Sequence, residues 1–99
     1  MDGPSSFSEE LREIAGWLRQ DAHSHVHVNR AATRIDHLGR QLHGIGYVRH
    51  REIAGCFTAA IGELSAWHTL PEGKRAEAVE RAVGQMETAL AEAEEGVEP

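Results

Sequence analysis

The sequence predicts an all-α protein, a small up-and-down antiparallel bundle of three to four helices, with dimerisation as one way to complete its core. Ala, Glu, Leu and Arg, which favour helices, are abundant, while aromatic residues make up 5% of the 99 residues. Apolar residues recur at helical spacing in successive segments. The connections between these segments are short, which favours antiparallel neighbours. A chain of this length forms one domain, expected over residues 7–95.

The first predicted helix follows a lead over residues 1–6 that is expected to be disordered. Ser6 and Glu9 have the spacing of a capping box, which places the start of the helix near residue 7. Its apolar stripe consists of Phe7, Leu11, Ile14 and Leu18. The helix is expected to continue to about Gln20.

Residues 21–29, DAHSHVHVN, interrupt the helical pattern. Three interpretations are open: a loop between two helices, the interior of one helix running from 7 to 43, or a short strand. A break is favoured, since local polar side chains compete for backbone hydrogen bonds. Helical spacing then resumes, and a glycine turn at Gly44 and Gly46 ends the second helix. The apolar row of this helix is Val28, Ala32, Ile35, Leu38, Leu42 and Ile45.

The segment from Ile53 to Trp67 is apolar on most of its circumference, which predicts a buried central helix over about Val48 to Trp67. Its bulky row is Ile53, Phe57, Ala60, Leu64 and Trp67. A second row of small residues comprises Gly55, Ala59, Gly62 and Ala66. Such a row permits close approach of another helix. The partner is expected to be either the last helix of the chain or the same helix of a second subunit, and the sequence favours neither.

The last helix is expected to begin at a second capping box, with Thr69 as the cap, Pro71 in the first turn and Glu72 in the third position. It runs to about Ala93, and residues 96–99 are expected to fray. Its seam of small and medium residues is Ala76, Val79, Val83, Met86, Leu90 and Ala93.

The formal net charge of −6 is unevenly distributed along the chain. Residues 28–51 carry five arginines against Asp36, whereas residues 72–99 carry eight glutamates against three basic residues. This layout favours contact between the middle of the chain and its ends. A single lysine beside many Arg, Ala and Gly residues is typical of a GC-rich bacterial or phage genome.

The sequence contains no signal-peptide pattern and no apolar run long enough for a membrane span, so a cytoplasmic protein without membrane partners is expected. The single cysteine, Cys56, lies in the apolar central segment, where a buried thiol is the favoured interpretation.

Three closely spaced histidines, His23, His25 and His27, suggest a possible Zn or Cu site. On a helix, His23 and His27 would lie one turn apart on one face, a spacing that lets two imidazoles share one ion. The favoured interpretation is a polar joint without a cofactor, and metal binding is the leading alternative.

The function that the sequence favours is protein–protein interaction, as an adaptor, assembly factor or inhibitor, in a homodimer. The acidic last helix would dock a basic protein surface through Glu77, Glu80, Glu87 and Glu92, with Arg30 and Arg34 as a second charged patch. Nucleic-acid binding through the arginines is a further alternative, disfavoured by the negative net charge. No catalytic arrangement is recognisable, so an enzyme is not expected.

Overall fold

Four helices form the bundle: α1 (Pro4–Gln20), α2 (His25–Ile45), α3 (His50–Trp67) and α4 (Glu72–Ala93). The computed structural model describes residues 4–21 and 23–98. Helix α1 packs beside α2 and α4, and α3 packs beside the same two helices, so that the four form a ring. The small all-α bundle predicted from the sequence is confirmed.

The apolar rows of the sequence converge on one core that runs along the bundle. The bulky row of α3 and the stripe of α1 are buried throughout. In α2, Ala32 and Ile45 are only partly buried, and the rest of the predicted row is inside. Trp67 is the largest side chain that is fully buried. Among the described residues no charged side chain is buried, which leaves all ion pairs at the surface.

Helix α4 buries four of the six residues of its predicted seam, Val79, Val83, Met86 and Ala93, and Leu90 is partly buried. Ala76 is exposed, whereas Ala78, Ala82 and Ala89 are buried beside the valines and Met86. These alanines make α4 slim, and it shares with α3 the most extensive interface of any helix pair in the bundle. Close packing between α3 and α4 therefore depends on alanines of α4 rather than on the small-residue row of α3.

The break between the first two helices is real but shorter than the nine residues predicted. Helix α2 begins at His25, and Ser24 is its N-cap, with its hydroxyl accepting a hydrogen bond from the His27 amide at 3.2 Å. An N-cap serine satisfies an amide that the first turn leaves unpaired. His25 and His27 consequently belong to a helix, while His23 lies in the joint before it.

Neither predicted capping box forms. Helix α1 starts at Pro4, so Ser6 lies inside the helix and residues 4–6 are not a disordered lead; residues 1–3 lie outside the described part of the chain. The N-cap of α4 is Pro71, whose ψ of 151° is extended, and Thr69 instead donates its hydroxyl to the Ala66 carbonyl at 2.9 Å. Thr69 thus finishes α3, because its amide and its hydroxyl both donate to the Ala66 carbonyl in the last turn of that helix.

Residues 96–98 are hydrogen-bonded, in contrast to the fraying expected for residues 96–99; Pro99 lies outside the description. The Val48 amide donates to the Gly96 carbonyl at 3.0 Å, and the Glu98 amide donates to the Gly46 carbonyl at 2.9 Å. We call this segment, Gly96 to Glu98, the C-terminal strap. Gly46, with φ of 78°, ends α2 in the left-handed conformation that glycine adopts most readily and so turns the chain toward the strap.

Helix α3 is not a central helix covered on all sides. Gly55, Ala59, Gly62 and Ala66 are all exposed, and a Cβ atom added at Gly55 or Gly62 would meet nothing within 4 Å. The prediction that the last helix of the same chain packs against this row is therefore wrong. Helix α4 lies instead on the side of α3 that carries Glu63, which pairs with Arg81, and Trp67, whose ring contacts the Arg75 guanidinium.

Candidate protein-interaction face

A groove lies between α2 and α3, where the two helices are less closely packed than α3 and α4. It encloses a cavity of about 210 Å³. Its apolar lining comes from Ile35 on α2 and from Phe57 and Ile61 on α3. Gly39 lines it on the α2 side, where an added Cβ would contact the Phe57 ring at 3.7 Å. The glycine and the neighbouring small side chains keep the groove open enough to admit a side chain.

The rim of the groove on α2 is polar. Asp36 and Arg40 form an ion pair at 3.3 Å one turn apart, and His43 follows on the same side. Because Asp36 and Arg40 neutralise each other and both are more than half exposed, this rim carries little net charge. The groove therefore does not select for a strongly acidic or basic occupant.

After Glu52, the outer surface of α3 continues from this groove without a fully exposed ionisable side chain, and Glu63, which is partly buried, pairs with Arg81. We define the neutral face as the exposed residues Gly55, Thr58, Ala59, Gly62, Ser65 and Ala66. Exposed glycines also occur at Gly16 on α1 and Gly84 on α4, but charged residues surround them. The absence of charge, more than the presence of glycine, thus distinguishes the neutral face. Depletion of charge is typical of the centre of a protein interface.

Charged residues mark both ends of the neutral face. Arg51 and Glu52 lie exposed at the start of α3, and Glu72 lies exposed at the start of α4, beyond the end of α3. Within the described residues neither Arg51 nor Glu72 has an ion-pair partner. Both side chains are consequently available to a molecule that covers the face.

The charges that the sequence assigned to partner binding are mostly engaged within the molecule. Glu87 pairs with Arg19 at 3.0 Å, and Glu92 pairs with Arg49 at 2.8 Å. Glu77 lies 3.8 Å from Lys74. Of the four predicted glutamates, Glu80 alone has no ion pair among the described residues. The sequence predicted contact between oppositely charged segments within one subunit or across two. The Arg19–Glu87 and Arg49–Glu92 pairs form such contacts within one chain, while Lys74 and Glu77 both lie on α4.

The two arginines of the predicted second patch also have partners. Arg34 pairs with Glu10 across α1 and α2, and the Arg30 guanidinium lies 5.5 Å from the centre of the Trp17 ring. A fourth ion pair between elements, Arg81 with Glu63 at 3.0 Å, ties α4 to α3. The arginines therefore hold neighbouring helices together and do not form a row that is open to a binding partner.

Two pKa shifts follow from this packing. The hydrogen bond to Glu92, with the charge of that carboxylate, raises the pKa of the exposed Arg49 guanidinium. Burial raises the pKa of the Cys56 thiol, and the charge of Glu92 raises it further. A thiol held in its protonated form is a poor nucleophile, in keeping with the structural role expected for Cys56.

The structure does not bring His23, His25 and His27 together. The His23 amide donates to Asp21 Oδ1 at 3.0 Å, while the His25 ring packs edge-on against Trp67 with centroids 4.8 Å apart. Throughout residues 4–21 and 23–98, no group of three or more His, Cys, Asp or Glu side chains is placed to hold a metal ion. Metal binding by these histidines stays a prediction, without a ligand cluster in its support.

Sequence reasoning missed the surroundings of Trp67. The Arg75 guanidinium lies 4.4 Å from the centre of a Trp67 ring, and its Nε donates to the carbonyls of Trp67 and Leu70, each at 3.2 Å. Arg75 thereby caps the end of α3 from α4. The sequence does place Arg75 in the first turn of the helix that follows Trp67, and this position could have predicted the contact.

No protein-family model, no curated protein and no solved structure matches the chain. Among the described residues, no helix is long and apolar enough to cross a membrane.

Proposed function

We propose that this protein is a small helical protein-interaction module, an adaptor, assembly factor or inhibitor, whose docking surface is the neutral face together with the groove between α2 and α3. The observation that supports this is an exposed helix face without an ionisable side chain, continuous with an apolar groove, on a molecule whose other faces carry inter-helix ion pairs. Covering this face removes apolar surface from water without burying an unpaired charge.

The proposal moves the docking surface from α4 to α3. Docking of a basic protein on α4, as expected from the sequence, would compete with the pairs that Glu87 and Glu92 make inside the molecule. Docking on the neutral face competes with no ion pair between helices, and the Asp36–Arg40 pair at the rim of the groove lies within α2. The homodimer expected from the sequence is one form of such docking and would use the same face.

The test compares two surfaces of the same protein. Ala59→Arg places a charge in the neutral face, and the double change Glu80→Lys, Glu87→Lys reverses the acidic side of α4. Ala91→Arg adds the same arginine at an exposed position of α4 and serves as the matched control. Circular dichroism establishes that each variant keeps its helix content.

The wild-type chain and each variant serve in turn as the bait, and quantitative mass spectrometry measures how much of each protein is cross-linked to it. We expect Ala59→Arg to reduce recovery of a specific partner at least tenfold, and the variants on α4 to leave it unchanged. Equal recovery with Ala59→Arg and with the wild-type chain would refute docking on α3. Loss with the Glu80 and Glu87 reversal alone would return the docking surface to α4.

A further inference from the structure

The small residues of the neutral face match those of a second, identical helix when the two helices run antiparallel. The spacing Gly55, Ala59, Gly62, Ala66 is four, three and four residues. If two copies of α3 lie antiparallel and cross midway between Ala59 and Gly62, then Gly55 of one copy faces Ala66 of the other. Likewise Ala59 faces Gly62. Every contact then pairs a glycine with an alanine, which permits close approach of the two backbones.

Of the two exposed charges at the start of α3, Arg51 meets its opposite charge at the other end of the face in this arrangement, whereas Glu52 does not. Reversal brings Arg51 of one copy beside the end of α3 in the other, where Glu72 begins α4. The two-fold axis generates this oppositely charged pair twice. The antiparallel arrangement also sets the positive start of each α3 beside the negative end of the other.

The grooves add to the contact. A two-fold axis perpendicular to the pair of α3 helices keeps both α2 helices on one side of that pair. The two grooves between α2 and α3 then open toward each other on that side, and each copy brings Ile61 and Thr58 to the shared boundary. The apolar groove and the neutral face become parts of one contact.

We propose that the occupant of this docking surface is a second copy of the chain, bound through an antiparallel α3–α3 contact centred between Ala59 and Gly62. The inference rests on the proposed function, because it names the partner of the same face. It identifies Arg51 and Glu72 as the residues that fix the antiparallel direction.

Sedimentation equilibrium of the full chain tests whether the dimer forms. We expect a dimer for the wild-type protein and for Ala91→Arg, and at least tenfold weaker association for Ala59→Arg. Arg51→Glu and Glu72→Arg should each weaken the dimer, and the double variant should restore it. A wild-type chain that remains monomeric at all concentrations would overturn the inference.

Disulfide trapping tests the direction of the helices, with Cys56→Ala in every chain. A mixture of Gly55→Cys and Ala66→Cys chains should form the mixed disulfide. Neither chain alone should cross-link, because eleven residues separate the two positions, about 16 Å along the helix, whereas a disulfide requires Cα atoms within ~7 Å. Self-linking by Gly55→Cys would indicate a parallel pair and overturn the inference.

The two proposals, docking on the neutral face and a second copy as its occupant, predict different results. A monomeric chain whose cross-linked partner is lost on Ala59→Arg would overturn the second copy as occupant and leave the docking face in place. A monomeric chain whose captures do not depend on Ala59 would overturn both.

Discussion

Replacing Gly62 by alanine should change folding stability and self-association in opposite directions. A glycine inside a helix costs about 1 kcal/mol relative to alanine. An added Cβ at Gly62 meets nothing within 4 Å in the single chain, so no steric penalty offsets that gain. We therefore expect the free energy of unfolding of the monomer to rise by about 1 kcal/mol, a rise in Tm of about 4–8 °C for a domain of this size.

In the antiparallel dimer the added methyl groups would lie between the two α3 helices, where Gly62 of each copy faces Ala59 of the other. Filling a close contact in this way typically costs 1–3 kcal/mol. A cost of about 1.4 kcal/mol corresponds to a tenfold weaker dissociation constant. The dimer of Gly62→Ala should therefore dissociate at about tenfold higher concentration than that of the wild-type chain.

Gly84→Ala is the matched control for this experiment. Gly84 lies on the exposed side of α4, and a Cβ there also meets nothing within 4 Å. It should give the same gain in monomer stability, measured by urea unfolding at low protein concentration, with no change in sedimentation equilibrium. Equal association of the two alanine variants would refute the close contact at Gly62. A loss of monomer stability in Gly62→Ala would refute the open environment of the helix.

Three further changes probe the ends of the bundle. Burial raises the pKa of Tyr47, the only tyrosine in the sequence, so its absorbance should titrate above pH 10 in the folded protein. Unfolding frees the phenol to ionise, and the free energy of unfolding should therefore fall as the pH rises past about 10. In a Cys56→Ala background, Tyr47→Phe should make the free energy of unfolding less dependent on pH above about 10. An unchanged dependence on pH would contradict the raised pKa of Tyr47. Gly46→Ala should lower the free energy of unfolding by about 1–2 kcal/mol in urea titrations, since alanine is strained at positive φ; an unchanged midpoint would argue against the left-handed turn. Arg75→Gln should alter Trp67 fluorescence and cost about 1–2 kcal/mol through the lost hydrogen bonds and ring contact, and wild-type emission would contradict the contact.

The rows of large apolar residues were predictable because a bulky apolar side chain has one favourable environment. Leu11, Ile35 and Leu64 each recur at helical spacing with their neighbours, and each lies in the core. The break near Ser24 was predictable for a related reason, since a serine that caps a helix also disfavours the helix interior.

The destination of small residues was not predictable in the same way. Ala78 and Ala59 have the same side chain, yet one is buried against α3 and the other is exposed. A methyl group gains too little from burial to fix the rotation of a helix, so the larger neighbours decide. Helix α1 begins at Pro4 and helix α4 at Glu72, each two or three residues from its predicted start, because a capping pattern nearby also matched the sequence rule.

The charged residues show a further limit. The sequence indicates that basic and acidic segments attract one another, but the pairs Arg19–Glu87 and Arg49–Glu92 depend on which helices are neighbours. Spacing along the chain carries no information on that choice. Glutamates that looked available for a partner in the sequence are therefore occupied in the folded bundle.

The C-terminal strap sets an order of events for folding. The pairs α1–α2, α2–α3 and α3–α4 join segments that are adjacent in the sequence, and such local contacts form early. The bridge from Tyr47 to Val97 closes a loop that contains both α3 and α4, so it forms after these helices have packed. Because it rests on two backbone hydrogen bonds at the end of the bundle, we expect it to open more readily than the core. Hydrogen exchange should therefore be faster at the Val48 and Glu98 amides than at the amides around Trp67.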